Sequence, residues 1–209
     1  PSRAQLWKIP TTGTAEKIAG VSDSAEGIGG GVVYNEFFHT NIDSFSEQVL
    51  FNAYLSGPGV ESGLNERGIW LKDGINTNLI VRGADPAPGT NGVGYFRVFY
   101  APMFGFGNNA PELILPVRVG SLPGGQPAIS SSLGTWKYTD GVLERISWTY
   151  TLPPGIPDTF FNSLYHYSSS AGNSMIWGQL SGSGITTVVV NGVSIITNQV
   201  GFFIEGDTN

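Results

Sequence analysis

The sequence predicts an all-β protein, and two observations lead to this fold class. Gly and Pro clusters interrupt the 209-residue chain at short intervals, as turns do. Between them lie short runs rich in Val, Ile, Tyr, Phe and Trp, which are typical of strands. Because periodicity does not distinguish a sandwich from a barrel, we expect an antiparallel β-sandwich or β-barrel with long Gly/Pro-rich loops.

Nine segments have the composition of strands. The clearest is residues 186–197, where Asn191-Gly192 supplies the positive backbone angles of a two-residue type I′ hairpin turn. The other eight, in chain order, are "GVVYNEFF", "RGIWLK", "NLIVR", "VGYFRVFYAP", "ELILPVRV", "GTWKY", "VLERISWTYT" and "VGFFIE".

A further segment, residues 43–55, fits two patterns. Ser44 and Glu47 have the spacing of a helix capping box. The apolar residues Phe45, Val49 and Phe51 instead fit a period of two. The β-rich surroundings favour a strand.

The segment "VLERISWTYT" also predicts which strand face is buried. Alternation places Val142, Glu144, Ile146, Trp148 and Tyr150 on one face, and this face is the more apolar. We therefore expect a half-buried antiparallel strand with this face toward the core.

The length of the chain favours one domain over residues 1–209. No stretch recognisably repeats another, and no linker divides the chain. Because it begins at Pro1 without a leader or a long apolar run, we expect a domain excised from a longer polypeptide.

The charge composition argues against several partners. Charged residues make up only 12% of the chain, and the net charge is −6. The ten basic residues are scattered singly, whereas nucleic-acid binding requires grouped Lys and Arg. We therefore expect no nucleic-acid partner and no membrane insertion.

No residue pattern predicts catalysis. The absence of cysteine excludes thiolate chemistry and a disulfide scaffold. Neither His39 nor His166 lies near a nucleophile-elbow sequence. The oxygen-rich segment "DGINTN", residues 73–78, lacks the distal glutamate of a calcium loop and is better explained as a turn. We expect no enzyme activity, cofactor or metal.

The remaining candidate is a contact surface in residues 160–180. The pattern predicts two strands joined by a polar loop from Ser168 to Ser174, with aromatic residues at its edges. Flat rings with polar edges suit sugar stacking and protein contacts. The candidate receptor- or glycan-binding residues are Tyr165, Tyr167, Ser169, Asn173 and Trp177.

In its size, its strand-and-loop character and its lack of cysteine, the whole chain resembles the protruding capsid spike domain of small non-enveloped RNA viruses, astroviruses in particular. This resemblance implies a homodimeric spike on the virion surface. It further implies attachment to a host-cell receptor, either protein or glycan, and recognition by antibodies. The alternative function is that of a carbohydrate-binding module or lectin, including a phage receptor-binding domain.

Overall fold

The computed structural model describes residues 4–10, 12–105, 112–123, 132–149, 159–170, 173–182, 186–190, 193–197 and 200–205, with side chains described up to residue 149 and at residues 180 and 181. All regular structure in these residues is β. The strands are β1 (Gln5–Lys8), β2 (Glu16–Gly20), β3 (Val33–Ile42), β4 (Val49–Ser56), β5 (Arg67–Asp73), β6 (Asn76–Arg82), β7 (Tyr95–Phe99), β8 (Met103–Gly105), β9 (Glu112–Gly120), β10 (Ser132–Thr139), β11 (Val142–Trp148), β12 (Thr159–Ser170), β13 (Asn173–Gly182), β14 (Thr186–Val190), β15 (Val193–Thr197) and β16 (Val200–Glu205).

The strands form open antiparallel sheets. The first sheet has the order β3-β4-β5-β6, and the second has the order β7-β9-β10-β11, with the short β8 also pairing with β9. A third sheet has the order β12-β13-β16, and two hairpins, β1–β2 and β14–β15, form two-stranded sheets. The all-β prediction is confirmed, and open sheets that face one another correspond to the sandwich alternative.

Among the residues whose side chains are described, the core lies in two layers, one on each face of the first sheet. Strand β4 divides its side chains between the layers because successive residues of a strand point to opposite faces. Phe51 packs with the β1–β2 hairpin in the first core, whereas Leu50 packs with the second sheet in the second core. Strand β5 divides in the same way, with Trp70 in the first core and Ile69 in the second.

The first two sheets are built on the same plan, so the expectation of no internal repeat is wrong. The turn that leads into each sheet has matching main-chain hydrogen bonds. Ser22 N donates to Tyr34 O at 2.7 Å, and Ala84 N donates to Phe96 O at 2.8 Å. The two cores repeat as well, since Val49, Phe51, Ala53 and Leu55 of β4 have counterparts in Leu113, Leu115, Val117 and Val119 of β9.

The third strand of each sheet contains the same Gly-x-Trp motif. Trp70 and Trp136 are completely buried, and each indole lies over the glycine two residues earlier, Gly68 or Gly134. Trp70 Nε1 donates to the main-chain oxygen of Glu26 at 2.9 Å. Trp136 Nε1 donates to the equivalent oxygen, that of Pro88, at 3.0 Å.

The third sheet follows the same register. In the first sheet, Phe51 lies opposite Trp70, and in the second, Leu115 lies opposite Trp136. In the third, Ile176 lies opposite Phe203. We call each set of strands that contains this pairing a unit. The three units are β3-β4-β5-β6, β7-β9-β10-β11 and β12-β13-β16, and their third strands are β5, β10 and β16.

The structure confirms the predicted strands within the described residues. In residues 43–55, the strand β4 begins at Val49, and the preceding residues form a turn in which the Asp43 carboxylate accepts from Phe45 N at 3.1 Å. Asp73 and Asn76 pair across the predicted "DGINTN" turn. Strands β14 and β15 also pair as expected, and their connection, residues 191–192, lies outside the described residues.

The predicted face of β11 is wrong. Leu143 and Trp148, assigned to opposite faces, both pack against the second core. The cause is a β-bulge: Ser147 lies opposite Thr135 and Arg145 lies opposite Trp136, so Ile146 is an extra residue. An extra residue in one strand reverses the alternation beyond it.

Candidate functional site

The predicted contact residues lie on β12 and β13. Tyr165 lies opposite Trp177, Ser169 lies opposite Ser174, and Asn173 lies opposite Ser170. Tyr167 falls at a register shift between His166 and Ser168. The backbone therefore brings the Tyr165 and Trp177 positions together, while the side chains of these five residues lie outside the described part.

The expected polar loop from Ser168 to Ser174 is wrong. The antiparallel ladder continues to the pair Ser170 and Asn173, which leaves only residues 171–172 between the strands. A β-ladder consists of main-chain hydrogen bonds, so residues with small polar side chains can also form one. Composition alone therefore placed the strand ends too early.

A different site lies between the first and second sheets. A cavity of about 360 Å³ opens beside the start of β5, the middle of β7 and the end of β9. This volume lies within the usual range of small-molecule sites. Its lining contains Gly63, Glu66, Arg67, Arg97, Val98, Arg118, Gly120 and Ser121. We call this cavity the arginine cleft.

Arg67 is held by two aromatic rings. Its guanidinium lies 4.4 Å from the ring centroid of Tyr54 and 5.7 Å from that of Phe38, within the range of cation–π attraction. Its Nη2 also donates to the Tyr54 hydroxyl. These contacts fix a cation at the wall of the cleft.

Arg97 owes its position to a β-bulge in β7. Phe96 lies opposite Val119 and Val98 lies opposite Arg118, so Arg97 is the extra residue. Bulges re-aim side chains and are frequent beside functional sites. The Arg97 Nη1 atom is buried and has no hydrogen-bond partner among the described residues.

Arg118 enters the cleft from β9. It is exposed, and its Nε donates to the Tyr100 hydroxyl at 2.6 Å. Tyr100 is in turn anchored by its main chain, because its oxygen accepts from Asn52 Nδ2 at 2.9 Å.

The charges of the cleft contrast with the rest of the chain. All four lysines form ion pairs with carboxylates: Lys8 with Glu47, Lys17 with Asp23, Lys72 with Glu16, and Lys137 with Glu112 and Glu144. In the described part, no arginine forms such an ion pair. Three of these arginines face one glutamate, Glu66, in the cleft. The cleft is therefore a cationic site on a chain of net charge −6.

Sequence reasoning missed this site because its arginines are far apart in the chain. They meet only because the first and second sheets stack and the β7 bulge turns Arg97 out of the strand alternation. Scattered single arginines argue against a nucleic-acid partner, but they do not argue against a site for a small anion. No local signal in the sequence indicates that three of them share one cleft.

Two carboxylates elsewhere have shifted pKa values. Burial raises the pKa of Asp85, although its carboxylate accepts a hydrogen bond from Arg82 N at 2.7 Å. Hydrogen bonding from Ser46 lowers the pKa of Asp43. Both residues shape turns. The described residues contain no group of three potential metal ligands and no helix that could span a membrane.

The fold and the cleft define a class: an all-β protein of stacked, repeated antiparallel sheets with an arginine-lined cavity between two of them. The chain belongs to a family of unknown function, DUF7453, whose model matches residues 1–110. This match contains Arg67 and Arg97, while Arg118 lies beyond it. No curated protein and no solved structure matches the chain.

Proposed function

We propose that this protein is a non-catalytic binding module whose arginine cleft holds an oxyanion of its ligand, a carboxylate, sulfate or phosphate group. The observation that supports this proposal is the presence of three arginines without carboxylate partners in one cleft. A planar guanidinium presents several N–H donors in a geometry that matches such groups.

The Arg97 guanidinium adds to this observation, because its Nη1 is buried without a hydrogen-bond partner among the described residues. An unsatisfied buried donor costs about 1–3 kcal/mol, more for a charged group. Because Arg97 also lines the cleft, a ligand oxyanion there would offset this cost through its attraction to the guanidinium charge. A positive cleft on a negatively charged protein also attracts anions selectively.

Among the expected functions, glycan binding fits this cleft best if the glycan is acidic. A uronate or a sulfated sugar combines an oxyanion for the arginines with a ring of a size suited to the cavity. Host-cell attachment on a virion surface, the homodimer and antibody recognition stay predictions. They would place the same binding step in a viral context.

The test is binding of glucuronate and sulfated saccharides by isothermal titration calorimetry. We expect binding that weakens with added salt, and no binding of the neutral sugar glucose. Arg97→Asn installs the residue found at the equivalent bulge of the first sheet, Asn35. Loss of one charged hydrogen bond, worth about 1.5–3 kcal/mol, should weaken binding roughly 10- to 100-fold.

Lys17→Gln is the matched control, because it removes one positive charge far from the cleft, where Lys17 pairs with Asp23 at 2.8 Å. Its affinity should equal that of the wild type. Equal weakening in both variants would reduce the effect to net charge. The absence of any oxyanion binding would refute the proposal.

A further inference from the structure

The β1–β2 hairpin has the register of the third and fourth strands of the unit. Trp7 lies opposite Lys17, after a bulge between Leu6 and Trp7. In the first sheet, Trp70 lies opposite Leu79 after a bulge at the same point. In the second sheet, Trp136 follows an equivalent register shift.

The hairpin is firmly attached to the first sheet. Ile18 and Ala19 are buried in the first core, against which Leu6 also packs. Two ion pairs join the layers, Lys8 to Glu47 at 2.7 Å and Lys72 to Glu16 at 3.4 Å. The hairpin therefore holds the hydrogen-bonding edge of strand β1 in a fixed position.

This edge differs from its equivalents in one respect. Strands β5 and β10 each pair on both sides, with a second strand and with a fourth strand. Strand β1 pairs only with β2 in the part of the chain that the structure describes. An unpaired edge exposes main-chain donors and acceptors that can bind another strand.

Trp7 shows the consequence of the open edge. It is 48% exposed, whereas Trp70 and Trp136 are fully buried. Its Nε1 donates to the side chain of Gln5 at 3.1 Å. In the complete units the indole donates to a loop carbonyl and lies against the side chains of the second strand.

We propose that the edge of β1 left unpaired by the described strands binds the second strand of another unit of this kind. The occupant is an extended segment with apolar residues at alternate positions, as in Val49–Ser56 and Glu112–Gly120. A large apolar residue of that segment would lie opposite Trp7, as Phe51 lies opposite Trp70 and stacks on it at 5.8 Å.

Gln5 marks a difference within this equivalence. It stands where the other units have Gly68 and Gly134, whose added Cβ would lie within 2.6 Å of the indole. Trp7 therefore does not lie back over its own strand as Trp70 does. The indole is left available to the incoming strand.

The test uses the full chain and a synthetic peptide of the β4 sequence "QVLFNAYLS", residues 48–56, flanked by lysines for solubility. We expect saturable binding and slowed hydrogen exchange of the β1 amides. A scrambled peptide should give neither. Trp7→Lys should weaken peptide binding at least tenfold, because a lysine in an edge strand opposes pairing.

Ile9→Lys is the matched control, since Ile9 is exposed and follows the strand. It should bind the peptide as the wild type does. Peptide binding that protects other strands, or that survives Trp7→Lys unchanged, would overturn the proposal. Self-association in which the β1 edges of two copies pair, abolished by Trp7→Lys, would overturn it, because the occupant would then be β1 of a second copy and not the second strand of a unit. These outcomes do not depend on the arginine cleft.

Discussion

The first and second sheets are two versions of one unit, and their differences separate the residues that build the unit from those that equip it. The sheets share the Gly-x-Trp motif, the leading turn with its matching main-chain hydrogen bonds, and the bulge in the first strand. They differ at the bulge itself, where Asn35 of the first sheet corresponds to Arg97 of the second. Scaffold residues are thus repeated, and the cationic residue is present in only one copy.

Some differences are coupled within a sheet. Tyr34 is fully buried, and its hydroxyl donates to the Glu26 carboxylate. Burial and this carboxylate raise the pKa of Tyr34 and keep it protonated. The second sheet has Phe96 and Pro88 at the two equivalent positions. A buried hydroxyl requires a partner, so the hydroxyl and its acceptor are present or absent together.

The largest expected effect is at the two buried tryptophans. Trp70→Ala and Trp136→Ala should each lower the free energy of unfolding by about 3–5 kcal/mol, because each removes a buried indole. Each also leaves a loop carbonyl without its donor. Urea denaturation followed by circular dichroism measures both values, which should agree closely if the two units are equivalent.

Trp7→Ala is the control for this comparison. Trp7 has the same register but is 48% exposed, and an exposed substitution changes stability by about 0.5 kcal/mol or less. A cost at Trp7 equal to that at Trp70 would contradict the open edge of β1. A cost confined to one of the two buried tryptophans would contradict the repeated unit.

A smaller effect is expected at the glycines of the motif. In Gly68→Ala the new Cβ would lie 2.6 Å from the Trp70 ring, and in Gly134→Ala it would lie 2.5 Å from the Trp136 ring. Overpacking of this kind costs about 1–3 kcal/mol, again measured by urea denaturation. Gly59→Ala provides a contrast, since nothing lies within 4 Å of its Cβ position. Its positive backbone angle of 71° costs about 1–2 kcal/mol, so this variant measures backbone strain without overpacking.

The sequence predicted the fold class and most strands because turn residues and β-branched runs are local signals. It did not reveal the repeat, because equivalent residues are not separated by a constant number of positions. Trp70 and Trp136 are further apart in the chain than equivalent turn residues such as Ser22 and Ala84. Few side chains are identical between the copies. Besides the short Gly-x-Trp motif, the copies share mainly their main-chain register, which a sequence does not display.

The candidate site could not be predicted for a related reason. Arg67, Arg97 and Arg118 belong to three strands of two sheets, so only the stacking of these sheets joins them. The prediction of the buried β11 face was wrong because the bulge adds Ile146 as an extra residue, and strict alternation does not allow for it. Bulges thus explain both the wrong prediction for β11 and the position of Arg97 in the cleft.

The smallest expected effect is a pH dependence that distinguishes two equivalent carboxylates. Asp23 and Asp85 occupy the same position in the two turns, but only Asp85 accepts a main-chain hydrogen bond from the fourth strand. Asp23 pairs with Lys17 at the surface. Because burial raises the pKa of Asp85 above its ordinary 3.8, the folded state binds a proton more tightly than the unfolded state.

Asp85 therefore stabilises the fold most fully below pH 3.8, and this contribution is lost as the pH rises through the folded pKa. Asp85→Asn keeps an acceptor for Arg82 N and cannot ionise. Its stability relative to the wild type should rise between about pH 3.8 and the folded pKa of Asp85 and then level off. The total gain should be smaller than the loss of stability expected for Gly68→Ala and Gly134→Ala. Urea denaturation from pH 2 to pH 6 would show this, and Asp43→Asn should give the opposite slope below about pH 3.8, because the pKa of Asp43 is lowered from that value. A parallel response of the two variants would mean that neither carboxylate contributes as its surroundings indicate.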